Sequence, residues 1–340
     1  MRLQDIIKER ILILDGAMGT MIQRYGLDET DFRGARFSDF DGQMKGNNDV
    51  LNITRPDVIE DIHRKYLEAG ADIIETNTFN AQRISMQDYG LQDHVRDINL
   101  AAAQLARQCA DEFSSSEKPR FVAGSIGPTS RTTSVATSGE PLDREVLRQA
   151  YAEQIQALAD GGVDALLIET IFDVENARIA IEVAQQIAPS LPIMLSFNVT
   201  TADGHNMLGQ DVCAFIKTLN TKPYSVGINC VSDVAQMTPL VCQLAQFGTK
   251  VSLYPNAGMP DGNGHYSKTP EGLLADVWPL LENHRLNIIG GCCGTTDKHI
   301  ALIAKAIEPV PGVRLSPLSK ETAEILSISL DSSNTSITSM

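Results

Sequence analysis

The segment LNIIGGCCG, residues 286–294, is an aliphatic run that leads into a pair of glycines and two adjacent cysteines. Seven earlier runs are similarly rich in aliphatic and β-branched residues, and they span residues 11–19, 72–79, 120–128, 164–172, 192–200, 224–230 and 250–258. Because these runs are almost continuously apolar rather than alternating, they are typical of strands that are buried on both faces of a parallel sheet.

Amphipathic helical patterns separate these runs. In residues 54–71, for example, Thr54 is the predicted N-cap, Pro56 lies in the first turn and Gly70 stops the helix. This repeated alternation of strand and helix predicts an α/β fold in which a right-handed parallel sheet closes into a (β/α)8 TIM barrel. The alternative is an open, doubly wound sheet, but DGAMGT at residues 15–20 lacks the glycine spacing of the nucleotide-binding turn in such sheets.

Two regions lie outside the repeat. Residues 21–53 form a polar insertion after the first strand, which in a barrel would lie over the catalytic face. Residues 311–340 are rich in Ser and Thr and show no amphipathic period, so we interpret them as a tail or linker. The sequence therefore predicts one barrel domain at residues 1–310, followed by this C-terminal tail.

The composition limits the classes of function. The chain of 340 residues carries a formal net charge of −15, which argues against a surface that binds nucleic acid or anionic membranes. No apolar run approaches the roughly 20 residues that span a bilayer. The 6 cysteines are too sparse for a disulfide scaffold, which favours a reducing, cytoplasmic location where thiolates can bind metal or take part in catalysis.

Three of the cysteines fall at the ends of predicted strands. Cys230 ends the sixth run, and Cys292 with Cys293 ends the eighth. Because the carboxyl ends of all barrel strands meet on one face, these thiols should occupy neighbouring positions on its rim. The other three cysteines fall in predicted helices, and we interpret them as small buried hydrophobic residues: Cys109, Cys213 and Cys242.

Three thiolates suit Zn²⁺, which prefers a tetrahedral set of sulfur and nitrogen ligands. The sequence has no CxxC or HxxxH pair to supply a closing ligand, so it favours a catalytic site with an open position over a structural site. Three thiolates around Zn²⁺ give a net negative site, which is poor at activating water but can keep a bound substrate thiolate nucleophilic. A redox pair or an incidental cluster is the alternative interpretation.

The cysteine segments also carry a family resemblance. GINC at residues 227–230 and GGCCGTT at residues 290–296 resemble the zinc-dependent homocysteine S-methyltransferase family, and the similarity extends over residues 10–310. Within that family, the segments DFRG, KGNND, ETNTFN, GPT and PNAG are most similar to the N-terminal homocysteine-binding module of cobalamin-dependent methionine synthase.

The resemblance implies roles for individual residues. The expected zinc ligands and catalytic residues are Cys230, Cys292 and Cys293. The expected homocysteine contacts are Asp15, Gly16, Ala17, Glu169, Asn229 and Asn256. Asp15 and the backbone of the two residues after it would hold the amino-acid end, and Glu169 would meet the ammonium group. Asn229 would orient the site, and Asn256 would approach zinc when substrate is absent.

The expected reaction is transfer of a methyl group to the zinc-bound thiolate of homocysteine, which gives methionine. The resemblance implies methylcobalamin as the donor, carried by another domain or protein, with corrinoid and folate-binding domains as partners. S-methylmethionine or betaine as the donor is the alternative, and a thiol-binding or zinc-binding module without catalysis is a second. A zinc-hydroxide hydrolase is disfavoured because all the expected ligands are thiolates.

Overall fold

The computed structural model describes residues 2–134, 142–262 and 264–307. Eight strands form one parallel sheet with the order β1-β8-β7-β6-β5-β4-β3-β2. The strands are β1 Leu12–Ile13, β2 Ile73–Glu75, β3 Phe121–Ile126, β4 Ala165–Ile171, β5 Ile193–Phe197, β6 Ser225–Asn229, β7 Lys250–Tyr254 and β8 Ile288–Ile289. A parallel bridge between Leu14 and Ile73 joins the first and second strands, so the sheet is closed. This confirms the TIM barrel and excludes the open sheet.

Helices surround the barrel. They are α1 Leu3–Ile6, α2 Met18–Gln23, α3 Glu29–Arg33, α4 Leu51–Thr54, α5 Pro56–Glu68, α6 Arg83–Met86, α7 Val95–Phe113, α8 Arg144–Asp160, α9 Val174–Ile187, α10 Val212–Lys217, α11 Val234–Leu244, α12 Pro270–Glu282 and α13 Asp297–Ala306. Short 3-10 turns occupy Asn48–Val50, Gln87–Tyr89, Gln92–His94 and Ala245–Phe247. Among the described residues, no helix combines the length and the apolar character that a membrane crossing requires.

The strands are buried on both faces, which explains their continuous apolar sequences. Residues that face the helices form one large core with them, and this set includes Ile13, Ile74, Val122, Leu166, Ile168, Leu195, Val226, Val251, Leu253 and Ile289. The alternate residues form a separate cluster inside the barrel: Leu12, Leu14, Ile73, Phe121, Ala123, Ala165, Leu167, Met194 and Ile288. Burying each of the larger side chains contributes roughly 1.5–3 kcal/mol.

Helix α1 closes the amino-terminal end of the barrel, a feature that the sequence patterns did not predict. Leu3, Ile6 and Ile7 are buried and belong to the cluster of residues inside the barrel. The hydroxyl of Tyr224, just before β6, donates a hydrogen bond of 2.9 Å to the carbonyl of Leu3. Among the described residues, apolar side chains therefore close the lower end of the interior, and the carboxyl ends of the strands form its open side.

The start of α5 differs from the prediction. Thr54 is the last residue of α4, and its hydroxyl donates back to the carbonyl of Val50 at 3.4 Å. The N-cap of α5 is Arg55, whose φ of −138° and ψ of 58° separate the two helices, and Pro56 is the first helical residue. The prediction of Thr54 as N-cap was wrong because a second short helix ends at that residue.

The insertion at residues 21–53 is less polar than predicted. Its buried residues include Phe32, Phe37, Met44, Val50 and Leu51, so it has an apolar interior continuous with the main core. The side-chain amide of Asn52 donates to the carbonyl of Asn77 at 2.7 Å, and the amide of Asn77 donates to the carbonyl of Asn48 at 2.7 Å. Because Asn77 follows β2, these bonds fix the insertion beside the carboxyl ends of the strands.

The predicted boundary at residue 310 and the predicted tail at residues 311–340 lie outside the described residues.

Candidate metal centre

The upper layer of the barrel interior is polar. Residues that continue the inward-facing alternation toward the carboxyl ends of the strands are Glu75, Ser125, Glu169, Ser196, Asn229 and Tyr254. Except for Glu75, which retains some exposure, they are buried. A polar layer above an apolar one leaves the chemistry of the barrel at its open end, where TIM barrels carry their active sites.

Cys230 immediately follows β6 and has an unusual backbone conformation. Its φ is +58°, a left-handed backbone conformation that residues other than glycine rarely adopt. Its N–H donates to the carbonyl of Tyr254 at 3.2 Å, and its carbonyl accepts from the side-chain amide of Asn198 at 3.3 Å. The neighbouring strands therefore hold the chain in a sharp turn at this cysteine, as is common at functional sites.

Cys292 and Cys293 lie on a turn between β8 and α13. The N–H of Cys292 donates to the carbonyl of Pro255 at 2.8 Å, and the carbonyl of Cys293 accepts from the N–H of Ala257 at 2.9 Å. The next residue, Gly294, has a φ of +81°, and the Tyr266 ring occupies the space that a Cβ there would need. The loop after β7 thus fixes the backbone of both cysteines.

The three sulfur atoms form a compact triangle. The Sγ atoms of Cys230 and Cys293 are 3.7 Å apart, those of Cys292 and Cys293 are 4.0 Å apart, and all three lie within 4.8 Å of one another. A tetrahedral Zn²⁺ with ligand bonds of about 2.3 Å separates its sulfur ligands by roughly 3.8 Å. The triangle therefore fits one face of such a tetrahedron, and the three cysteines could hold Zn²⁺ with its fourth position open.

The thiols influence one another strongly. Hydrogen bonds from Cys230 and then Cys292 lower the pKa of Cys293 to about 3. The pKa of Cys292 is raised well above its usual value by its hydrogen bonds with Cys230 and Cys293 and by burial. Without a metal, the three cysteines therefore favour one thiolate and disfavour a second. A divalent cation would stabilise all three as thiolates.

The remaining cysteines lie in helices, as predicted. Cys109 in α7 and Cys213 in α10 are buried, and burial raises the pKa of each to about 11. Cys242 in α11 is only partly buried, so the interpretation as a buried hydrophobic residue fits it less well. Within the described ranges, the metal-ligating side chains that converge are Cys230, Cys292 and Cys293.

A sequence profile of the homocysteine S-methyltransferase family matches residues 12–307, which is most of the chain. The chain belongs to this family. Methyl transfer to homocysteine is the reaction for which the family is named. The match confirms the resemblance predicted from the cysteine segments, while the likeness to the methionine synthase module stays a prediction.

Solved structures with a similar fold include a homocysteine methyltransferase, MmuM from Escherichia coli. Its oxidized form superposes with a TM-score of 0.71 at 22% identity and covers 89% of this chain and 98% of that chain. Its metallated form gives a TM-score of 0.68 at 22% identity, covering 88% of this chain and 97% of that chain. At this identity the structures show a common fold.

Glu169 lies at an irregularity of β4. The pairing with β5 shifts register between Ile168 and Ile171, and Thr170 between them has a φ of +54°. Glu169 is only 4% exposed, and the hydroxyl of Ser125 donates a 2.5 Å hydrogen bond to its Oε1. Burial raises the pKa of Glu169 to about 7 despite that bond. A buried carboxylate here requires a cationic or proton-donating partner.

Asp15 follows β1 and is buried, and only one of its two carboxylate oxygens accepts a hydrogen bond among the described residues. Its Oδ2 accepts from the N–H of Glu75 at 3.0 Å, whereas its Oδ1 is buried and has no hydrogen-bond partner among the described residues. Burial first, and then the charge of Glu169, raise the pKa of Asp15 well above its usual value. An unpartnered buried carboxylate oxygen is consistent with a position that a ligand donor would occupy.

The loop after Asp15 is fixed to the turn that carries the adjacent cysteines. A Cβ at Gly16 would lie 2.8 Å from the Tyr66 ring, so only glycine fits there. The N–H of Ala17 donates to the hydroxyl of Thr295 at 3.1 Å. The sequence predicted that Gly16 and Ala17 hold the substrate carboxylate, but a ligand at the Ala17 N–H would have to share or displace this internal bond.

The two asparagines of the predicted site lie beside the cysteines. Asn229 ends β6, and its side-chain amide points toward the Sγ of Cys292. Asn256 is buried at 8% exposure, its side-chain amide donates to the hydroxyl of Ser232 at 3.3 Å, and its Oδ1 has no partner among the described residues. Asn256 lies near Cys230, and its interaction with the sulfur lowers the pKa of that cysteine and so favours the thiolate. The geometry therefore brings all the predicted residues to one end of the barrel.

Glu75 is a further carboxylate in the same mouth, and the sequence analysis did not select it. The signal was present, because the end of β2 reads IIET and the end of β4 reads LIET, with the acid in the same place. Burial and the charges of Glu169 and Asp15 raise the pKa of Glu75 well above its usual value. When two barrel strands end in the same sequence, the corresponding side chains point into the open end of the barrel in the same way.

Proposed function

We propose that this protein is a zinc-dependent methyltransferase that converts homocysteine to methionine. The carrying observation is the sulfur triangle of Cys230, Cys292 and Cys293, which fits one face of a tetrahedral Zn²⁺ site with a fourth position open. Bound Zn²⁺ would keep the sulfur of homocysteine as a thiolate at neutral pH. The three cysteines would hold the metal at the carboxyl ends of the strands, where it would supply the charge that stabilises the substrate thiolate.

The amino-acid end of homocysteine would bind among the buried carboxylates. Glu169 accepts a hydrogen bond from the Ser125 hydroxyl and forms no ion pair with a cationic side chain among the described residues, so it can accept the substrate ammonium group. The free Oδ1 of Asp15 can accept a second hydrogen bond from the same group. The free Oδ1 of Asn256, near Cys230, supports the proposal that this residue approaches the metal when substrate is absent.

We infer methylcobalamin as the methyl donor, brought by a corrinoid domain or protein. The support is the likeness of the insertion and of the ETNTFN and PNAG segments to the cobalamin-dependent module. The insertion lies at the rim where a donor would approach, since Asn52 and Asn77 bind it to the end of β2. S-methylmethionine or betaine is the second candidate, because a small donor reaches the same open end.

The test is methyl transfer by the purified, zinc-loaded protein. Homocysteine would be supplied with methylcobalamin, S-methylmethionine or betaine in parallel, and methionine would be quantified. We expect methionine from methylcobalamin, and none from the Cys292→Ser variant under the same conditions. Turnover with S-methylmethionine or betaine alone would assign a small-molecule donor. Stoichiometric zinc and homocysteine binding without turnover on any donor would leave a binding module and contradict the proposal.

A further inference from the structure

Three carboxyl groups from separate elements meet in the mouth of the barrel: those of Asp15 and Glu169 belong to buried residues, and that of Glu75 belongs to a partly buried one. Asp15 follows β1, Glu75 ends β2, and Glu169 lies near the end of β4. The backbone N–H of Glu75 donates to Asp15 at 3.0 Å. The side chains of Glu75 and Glu169 both continue the inward-facing alternation of their strands, and each carboxyl group lies close enough to affect the pKa of the other. Each group is thus within the electrostatic reach of the other two, which is an expensive arrangement for ionised carboxylates.

The protein supplies no cation to this cluster among the residues that the structure describes. Besides burial, the charges that raise the pKa of Glu75 are those of Glu169 and Asp15, and Asp15 in turn is raised by Glu169. Cys293 adds further negative charge beside Glu169. Burial and neighbouring negative charge are the leading causes that raise the pKa of these three carboxyl groups. The cluster is therefore balanced by protons when no ligand is bound.

Two unpartnered polar atoms border the cluster and indicate where a ligand would lie. Asp15 Oδ1 is buried without a hydrogen-bond partner, and so is the hydroxyl of Tyr254 at the end of β7. The Tyr254 hydroxyl lies near Glu169, and its interaction with that carboxyl group favours the ionised form of Glu169. Buried polar atoms without partners are uncommon in proteins and often mark a binding position.

We propose that Glu75 is a second carboxylate partner of the substrate's ammonium group, and that with Glu169 it makes the pocket specific for thiols that carry a protonated amine. This inference rests on the proposed function, since it takes homocysteine as the ligand. One carboxylate would balance one ammonium group, and the second would add to the attraction that the negatively charged metal centre already exerts on a cation. A thiol with a carboxylate and no amine would meet only like charges.

The proposal has a definite proton balance. Before a ligand binds, burial and the neighbouring charge of Glu169 raise the pKa of Glu75 and favour its protonated form. The substrate amine is already protonated near neutral pH, so its arrival would release that proton to solvent and leave two carboxylates facing one ammonium group. No other bond forms or breaks in this step. The thiol of the substrate loses its own proton separately when it joins the metal.

The experiment compares ligands on the zinc-loaded protein by calorimetry. The ligands are homocysteine, aminopropanethiol, which lacks the carboxylate, mercaptobutanoate, which lacks the amine, and propanethiol, which lacks both. We expect aminopropanethiol to bind at least about tenfold more tightly than mercaptobutanoate, a difference of roughly 1.4 kcal/mol. Titrations in buffers of different ionisation enthalpy count protons, and homocysteine should release about one more proton than propanethiol.

The decisive variant is Glu75→Gln, which keeps the shape and a hydrogen-bond donor but can neither ionise nor release a proton. We expect it to weaken homocysteine and aminopropanethiol by about tenfold, to leave propanethiol unchanged, and to abolish the extra proton. The matched control is Asp49→Asn in the insertion, because Asp49 is also buried, with a pKa that burial raises to about 7, but is not among the charges that act on the cluster. The control should match the wild type for every ligand.

Two outcomes would overturn the proposal. Wild-type affinity of Glu75→Gln for homocysteine would mean that Glu75 stays neutral and only supports Glu169. Equal losses for homocysteine and propanethiol would mean that Glu75 maintains the barrel rather than contacting the amine. Both outcomes are distinct from a failure of the proposed function, which would appear as wild-type protein that neither binds homocysteine nor methylates it.

Discussion

The side-chain amide of Asn229 is aimed at the sulfur of Cys292, with 4.0 Å between Nδ2 and Sγ. The same Nδ2 donates to the hydroxyl of Thr170 at 2.7 Å. Its Oδ1 accepts from the hydroxyl of Ser196 at 2.8 Å and from the N–H of Thr170 at 3.1 Å. Bonds to β4 and β5 therefore orient the amide so that its donor side faces the sulfur, where it would stabilise negative charge.

Replacement of Asn229 by Asp should weaken zinc binding. The substitution preserves the side-chain shape but turns a donor that faces Cys292 into a carboxylate, which repels the thiolate. We expect a loss of at least about tenfold in zinc affinity, because changes in groups that orient metal ligands commonly cost that much. Competition with a chromogenic chelator would measure the affinity.

Asn287→Asp is the matched control. Asn287 lies before β8, and its Oδ1 accepts from the N–H of Val251 at 3.0 Å, a bond that Asp can also make. Equal losses in both variants would contradict the orienting role.

One zinc ion per chain should depend on Cys230, Cys292 and Cys293. Replacing any of them with Ser removes a thiolate from the triangle and leaves two, which is too few for a stable site. We expect zinc content, measured by metal analysis after gel filtration, to fall from about one per chain to near zero.

Serine replacements in the helices provide the control for that experiment. Cys109, Cys213 and Cys242 lie in α7, α10 and α11, away from the triangle, so their variants should keep the metal. Stoichiometric zinc in a protein that lacks both Cys292 and Cys293 would rule out the assignment.

The sequence was sufficient for the barrel and for the cysteine triangle, because each depends on a strong pattern. Strands that are buried on both faces must be continuously apolar, and residues at their carboxyl ends must meet on one face. That rule alone brings Cys230 beside Cys293, at 3.7 Å between sulfur atoms, across a long separation in sequence. It would also have found Glu75, whose IIET context matches the LIET of Glu169.

Other features depend on contacts that no local pattern contains. Helix α1 closes the barrel because Leu3 and Ile6 meet the strand interior, yet its four residues are too short for an amphipathic period. Thr54 has the sequence of an N-cap but is the last residue of α4, where its hydroxyl donates back to the carbonyl of Val50. The N–H of Ala17 is already engaged, because it donates to the hydroxyl of Thr295, a residue distant in sequence.

His63 should make folding stability depend on pH. It is fully buried in α5, neither ring nitrogen has a hydrogen-bond partner among the described residues, and burial lowers its pKa from 6.5 to about 4. Between pH values equal to these two pKa values, His63 is protonated in the unfolded chain but neutral in the folded protein. The free energy of unfolding therefore decreases as pH falls through this window. The expected loss from this residue is about 2 kcal/mol between about pH 7 and about pH 5.

The His63→Leu variant tests this, because Leu fills the site and does not titrate. Carboxyl groups with raised pKa values, such as Asp49, act in the opposite direction, so the comparison must be between variant and wild type at each pH. We expect urea unfolding to show the variant gaining relative stability as pH falls. A difference between the two proteins that is constant with pH would show that His63 carries no such penalty.

Replacing Glu169 with Ala should weaken homocysteine binding without releasing zinc. Glu169 is buried, hydrogen-bonded to Ser125 and adjacent to the cysteine centre, but it is not part of the sulfur triangle. Truncating one partner of a buried charge pair commonly costs several kcal/mol, so a loss of at least about tenfold in homocysteine affinity is a conservative expectation. Propanethiol, which has no amine, should bind the variant as it binds the wild type.

Calorimetry with both thiols, and metal analysis of the same sample, would separate recognition of the amino group from assembly of the metal site. Equal losses for both thiols would mean that Glu169 supports the barrel, and Asp15, with its free Oδ1, would then become the leading partner of the ammonium group.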